Sequence, residues 1–168
     1  MNSRGITFIS ALVLSVMLMY GCGSSKTSAD KEAVASEIRE GLLNSDFRFE
    51  ATYVYPTGFK SMYLSPYYDV EVKSDSVKVY LPYYGRAYKA PMDPMDGGYR
   101  FISTDFEYEV EQTDKKGNWR AILHFNDQGR AISFNFDVYE NGSTHLNVID
   151  TDRQPISFRG NLVIDDEE

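Results

Sequence analysis

From Phe47 to the end of the chain, apolar residues recur at every second position, the period of a strand with one buried face. Phe47, Phe49, Ala51, Tyr53 and Tyr55 form one inward set, alternating with Arg48, Glu50, Thr52 and Val54. Tyr68, Val70 and Val72 make a second set, and Val77, Val79 and Leu81 a third. Tyr99 to Ser103 follows, then Phe106, Tyr108 and Val110, then Trp119, Ala121, Leu123 and Phe125. Ile132, Phe134, Phe136 and Val138 come next, then Leu146 and Val148, and finally Ile156, Phe158, Leu162 and Ile164. Turn-forming clusters separate these runs: Pro56 to Gly58, Ser74 to Ser76, Asp114 to Asn118, Asn126 to Gly129, and Asp150 to Gln154. Asn141-Gly142 is the strongest hairpin signal, because both residues tolerate the positive φ of a tight turn.

Ahead of the strands the period changes. Val34, Ile38 and Leu42 recur every fourth residue and Ala35 widens the stripe, which predicts a helix over Asp30–Leu43 packed on the domain's flank. Ser28 or Asp30 can cap its start, and Asn44-Ser45 can end it. Short strands joined by short turns pair with their neighbours antiparallel. The fold class is therefore all-β: an antiparallel meander of about eight or nine strands, curled into a barrel-like or two-sheet structure, with one short N-terminal helix.

The chain starts differently. Arg4 precedes an apolar run of fifteen residues, Ile6 to Tyr20, too short for the ~20 of a membrane-spanning helix. A charged start, a short apolar stretch and then small residues describe an export signal. Gly21-Cys22 at its end resembles the lipobox of bacterial lipoproteins, where the cysteine thiol takes a diacylglyceryl group; Met19 and Tyr20 depart from the commoner residues. Two acyl chains anchor a protein stably where one does so only reversibly. The expected layout is a signal peptide over 1–21, a lipidated tether over 22–29, a single β domain with its helix over 30–164, and an acidic tail over 165–168. The expected location is the bacterial cell envelope, held to a membrane through Cys22 and facing the periplasm.

Composition agrees with one folded domain. Of 168 residues 42% are hydrophobic and 14% aromatic, too apolar for a disordered chain. The formal net charge of −8 opposes contact with phosphate backbones, so no nucleic-acid partner is expected. Cys22 is the only cysteine, so an internal disulfide is impossible.

Two segments stand out chemically. Leu81-Pro82-Tyr83-Tyr84-Gly85-Arg86-Ala87-Tyr88 ends a strand at Pro82 and bends at Gly85, presenting phenols and a guanidinium together. Tyr83, Tyr84, Arg86 and Tyr88 can serve as a recognition surface, with rings for stacking and Arg86 for a carboxylate. They can equally close the core, with rings plugging a barrel mouth and Arg86 paired to an internal acid. Arg153 and Arg159 lie in the second segment, Arg153-Gln154-Pro155-Ile156-Ser157-Phe158-Arg159-Gly160. They join Arg86 in an anion site if the fold brings them together; otherwise each holds a turn or covers a strand face.

Together with Tyr53-Val54-Tyr55-Pro56, these two segments resemble the uncharacterised lipoprotein family of domain of unknown function 4251, over roughly residues 35 to 164. The resemblance implies a lipoprotein signal, a short helix and then β strands. It brings no activity, substrate or catalytic residue.

The remaining candidates are weaker. His124 and His145 are the only histidines, and two scattered ligands do not make a zinc site; no metal or cofactor is expected. His124 falls on an outer face by the alternation. Met92-Asp93-Pro94-Met95-Asp96-Gly97-Gly98 is a Pro/Gly loop without EF-hand spacing. Glu107 and Glu109 share one strand face, and no Gly-x-Ser-x-Gly elbow occurs. Three readings stay open: a non-enzymatic binding module for a small molecule, glycan or peptide, a structural or assembly subunit that binds another envelope protein, and a carboxylate-dependent hydrolase. The first is preferred because no catalytic set is visible.

Overall fold

The structure, a computed structural model, describes residues 28–89, 97–115, 117–127 and 130–164. The expected signal, Cys22, the acidic tail and residues 92–96 of the Pro/Gly loop lie outside them. One helix, α1 (Ser28–Asn44), precedes ten strands: β1 (Phe47–Pro56), β2 (Met62–Tyr63), β3 (Asp69–Val72), β4 (Val77–Pro82), β5 (Gly98–Ser103), β6 (Phe106–Gln112), β7 (Trp119–Asp127), β8 (Arg130–Val138), β9 (Ser143–Asp150) and β10 (Arg153–Val163). The protein is all-β with one N-terminal helix, as the alternation predicts. Two-residue β2 is the strand its pattern does not announce. The helix begins at Ser28, inside the stretch expected as tether.

All strands belong to one antiparallel sheet ordered β5-β4-β3-β1-β10-β9-β8-β7-β6, with β2 paired to β1 off this path. First and last strands pair in the middle of this path, with Arg48 opposite Val163 and Pro56 opposite Ile156, and the sheet curls into a nearly closed barrel. Each of the eight steps along the path reverses direction, so β5 and β6 at its ends run the same way. Only Thr104 and Asp105 join them. They act as one bent strand that supplies both edges of the sheet, the way a strand turns a corner between two packed layers. Here, as between β2 and β3, sequential strands follow each other without pairing; the other consecutive strands pair as neighbours.

Inside, aromatic rings touch from one end of the barrel to the other. Tyr83 meets Tyr99 at 5.9 Å, Tyr99 meets Phe134 at 5.8 Å, Phe134 meets Phe136 at 6.5 Å, and Phe136 meets Phe47 at 5.8 Å. Such pairs contribute roughly 0.5–1.5 kcal/mol each beyond their area burial. The axis is thus occupied by packed side chains.

α1 closes the base of the barrel and does not lie along its flank. Only its C-terminal half is buried, through Ile38, Gly41 and Leu42. Gly41 sits against Ile164, and Ile38 approaches the turn at Gly142. The Tyr108 hydroxyl donates to the Leu42 carbonyl at 2.7 Å. Ser45 ends the helix at φ 54°; its amide donates to Leu42 O at 3.3 Å while Asp46 N donates to Gly41 O at 2.8 Å. This is a Schellman ending with serine in the left-handed position. The Asn141-Gly142 turn also departs from expectation: Gly142 alone has positive φ, 82°, and its amide donates to Tyr139 O at 2.9 Å. The hairpin is a three-residue loop ending in a left-handed glycine, not a two-residue one.

β1 breaks the alternation. Ala51 pairs with Gly160 and Tyr53 with Arg159, leaving Thr52 as an extra residue. Its hydroxyl donates to the Arg159 carbonyl at 3.0 Å. Such a bulge flips the parity beyond it. Val54 and Pro56 therefore point inward and Tyr53 and Tyr55 outward, the reverse of the expected set. The remaining inward sets from Val70 to Leu162 are buried or half-buried as predicted.

Candidate functional site

The opposite end of the barrel from α1 is its mouth, formed where β4 ends, β5 begins and the β9–β10 turn returns. A polar plug fills it. Arg130 forks onto Asp150, with Nε at 3.0 Å from Oδ1 and Nη2 at 2.5 Å from Oδ2. The amide of Asp152 donates to Asp150 Oδ1 at 2.9 Å. The Arg153 guanidinium lies 5.0 Å from the Tyr83 ring centre and 5.1 Å from that of Tyr99, and Nη1 donates to Gly98 O at 2.9 Å. Arg153 is 5% exposed and Asp150 4%, so both charges are out of water and depend on these partners.

The plug sets the ionisation of its members. Burial works against the Asp150 charge, yet the Arg130 fork and the Asp152 amide outweigh it and hold the carboxyl below its usual range. Burial and the nearby Asp150 charge push the Tyr99 hydroxyl well above the ordinary phenol range. That hydroxyl is buried beside the Asp150 carboxylate. Burial likewise raises Tyr83, against the Gln154 carbonyl and Arg153.

A rim stands over the plug. The Tyr83 hydroxyl donates to Arg86 O at 2.9 Å and reaches Gln154 O at 3.2 Å. The Arg86 amide donates to Gln154 Oε1 at 3.2 Å, and Gln154 N donates to Arg86 O at 3.0 Å. Ala87 bridges Arg153, Tyr88 N donates to Asp152 O at 2.7 Å, and Lys89 pairs with Asp152 at 2.9 Å. Gly85 is needed for the approach of Tyr83, whose hydroxyl would stand 2.6 Å from an added Cβ. Tyr84 is 40% exposed and Tyr88 62% on this pinned segment, and Arg86 is exposed beside them.

The Tyr83–Tyr88 run thus divides between the core and the surface. Tyr83 and Arg153 close the core. Tyr84, Arg86 and Tyr88 remain on the surface. The internal acid is paired by Arg130, not by Arg86. Arg159 is elsewhere, exposed on the outer face of β10 opposite Tyr53 and His145, so the three arginines do not converge.

Tyr99, Arg130 and Asp150 are the members of this end that the sequence reading missed. Arg130 and Asp150 flank two separate turns, and nothing in the alternation says that a charged residue at a strand end points inward. Among the described residues no group of three or more His, Cys, Asp or Glu could hold a metal, and no helix is long and apolar enough to cross a membrane. His124 is exposed on the outer face as expected and lines, with Asp105, Glu107 and Ile149, an open concavity of about 520 Å³.

The arrangement defines a small, nearly closed antiparallel barrel with a filled interior and a decorated rim. The chain belongs to the family of domain of unknown function DUF4251, whose profile matches residues 29–162. Its fold is similar to a crystal structure at 1.95 Å of a DUF4251 family protein from Bacteroides eggerthii DSM 20697. The TM-score is 0.58 at 14% identity, covering 82% of this chain and 92% of that one. No curated protein matches the sequence.

Proposed function

We propose that the protein is a lipid-anchored, non-enzymatic binding module of the bacterial cell envelope, tethered through Cys22, periplasm-facing, and recognising a small molecule or peptide at the rim of the barrel mouth. The observation that carries the reading is the pinned rim: Tyr84, Arg86 and Tyr88 are exposed on a backbone whose amides and carbonyls are already bonded to Gln154 and Asp152. A surface ordered before it meets its ligand loses little freedom on binding, which is what recognition requires. Two phenols and one guanidinium suit a flat ligand bearing a carboxylate. The packed axis argues for recognition on the rim, not inside the barrel.

The rim is tested by screening the protein against carboxylate-bearing metabolites and short peptides. Tyr84→Ala and Arg86→Ala are expected to weaken any hit at least tenfold; unchanged binding by both removes the rim as the site. Lipidation is tested by the mass of the protein isolated from cells, which should show a cleaved chain with acyl chains on Cys22. A bare thiol or an intact leader overturns the anchored placement.

Among the described residues the outer edges of β5 and β6 are unpaired, which supports a second reading, an assembly subunit that receives a partner's strand. Crosslinking in cells would then recover one stoichiometric protein. The hydrolase reading loses support, because Glu107 and Glu109 project from the outer face of β6 and Asp150 is committed to Arg130.

A further inference from the structure

We propose that the outer face of β1, β10, β9 and β8 is a second binding surface, specific for a neutral linear oligosaccharide. The inference does not depend on the rim.

The bulge at Thr52 carries the first half of the argument. It turns Tyr53 and Tyr55 out of the core, leaving them 42% and 39% exposed. Tyr63 on β2 stands edge-on to Tyr53 at 5.2 Å and is 69% exposed. Burial would have been the favourable place for these rings. The fold instead lines them up at one margin of a sheet face.

The polar residues beside them carry the second half. Ser157 lies opposite Tyr55, Asn147 opposite Ser157, and Asn135 opposite Asn147, so ring, hydroxyl and two amides follow in register across four strands. Ser157 Oγ donates to Asn147 Oδ1 at 3.2 Å, and Asn135 Nδ2 lies 3.4 Å from the Asn147 carbonyl. These bonds orient the side chains without exhausting them, since each amide offers two donors and an acceptor with two lone pairs. The row spans about 14 Å at the ordinary strand spacing.

A sugar ring has an apolar C–H face and a hydroxylated edge. Tyrosine rings take the first, and a ladder of hydroxyl and amide groups takes the second. The row itself carries no charged side chain; in the neighbouring row Arg120 holds Asp137 at 2.8 Å, and Arg159, opposite Tyr53, adds a positive charge beside the rings. A chain of net charge −8 repels acidic polymers, which selects an uncharged ligand. A peptide added as a strand has no place here, because these four strands are paired on both sides.

The test is titration calorimetry of the full chain with cellohexaose, chitohexaose and maltohexaose, with polygalacturonate and phosphatidylcholine vesicles as contrasts. Binding of at least one neutral hexasaccharide is expected, falling at least tenfold in Tyr53→Ala/Tyr55→Ala and in Asn147→Ala, and unchanged in Tyr84→Ala. Far-UV circular dichroism and the unfolding midpoint show whether each variant is folded; if the tyrosine pair is not, Asn147→Ala alone decides. The proposal is overturned if no hexasaccharide binds, if folded variants bind as the wild type does, or if polygalacturonate or the vesicles bind in preference. Loss in Tyr84→Ala alone would move the sugar to the rim and overturn this site while sparing the other.

Discussion

Arg130 and Asp150 meet across the β8–β9 ladder as a forked ion pair whose carboxylate side chain is fully out of water. Because Arg130 and the Asp152 amide hold the Asp150 carboxyl below its usual range, protonating it costs the fold more than the unfolded chain. Its contribution to stability is complete above the ordinary Asp value of about 3.9 and is lost as pH falls through the lower folded value. Asp150→Asn is expected to cost about 3 kcal/mol at neutral pH, because it leaves Arg130 beside a neutral group. Urea unfolding at neutral pH and in acid checks both. A variant as stable as wild type, with the same acid dependence, would refute the pair's role.

Gly160 lies directly against the Glu50 carbonyl, with no room for a Cβ. It sits at the bulge in the central β1–β10 pair. Gly160→Ala is expected to destabilise by about 1–3 kcal/mol and to speed amide exchange from Ala51 to Tyr55. Exchange unchanged in that stretch would show that the β1–β10 pair yields without opening.

Ser45 occupies the left-handed position of the α1 Schellman ending, where a Cβ costs about 1 kcal/mol. Ser45→Gly is expected to stabilise by roughly 0.5–1 kcal/mol, less the greater freedom of glycine in the unfolded chain. A higher denaturation midpoint at unchanged slope is the expected reading.

Tyr108 ties the barrel wall to the end of the helix through its bond to the Leu42 carbonyl. Tyr108→Phe is expected to cost about 1 kcal/mol and to loosen the last turn of α1 in hydrogen exchange before the strands respond. Burial raises the Tyr108 and Tyr99 hydroxyls, so their stability contribution holds below about pH 10 and fades as pH climbs through the higher folded values. In an alkaline absorbance titration Tyr108 and Tyr99 should lag the exposed tyrosines furthest; Tyr108→Phe should remove one of these late phenols.

Residues of the candidate sites were legible in unequal degree. The Tyr83–Tyr88 run announced itself through Pro82 and Gly85, and three of its side chains reach the surface. Arg153 and Arg159 are only six positions apart in sequence, yet one is buried at the mouth and the other exposed on the wall. Strand alternation predicts a facing only while the register is unbroken, and β10 has its own irregularity between Arg153 and Ile156. Tyr53 and Tyr55 were misassigned for the same kind of reason, one extra residue in β1.

What the residues determined locally is the strand set, the turns and the helix, because alternation, turn chemistry and helical period act over a few neighbours. Tertiary structure alone decided that β1 meets β10, that β5 and β6 serve as one bent strand, and that Arg130 finds Asp150. Those outcomes depend on pairing between distant segments and on where a single inserted residue is absorbed. Burial of one sheet face drives the closure, and the bulge that closure tolerates at Thr52 determines which tyrosines are left for water and for a ligand.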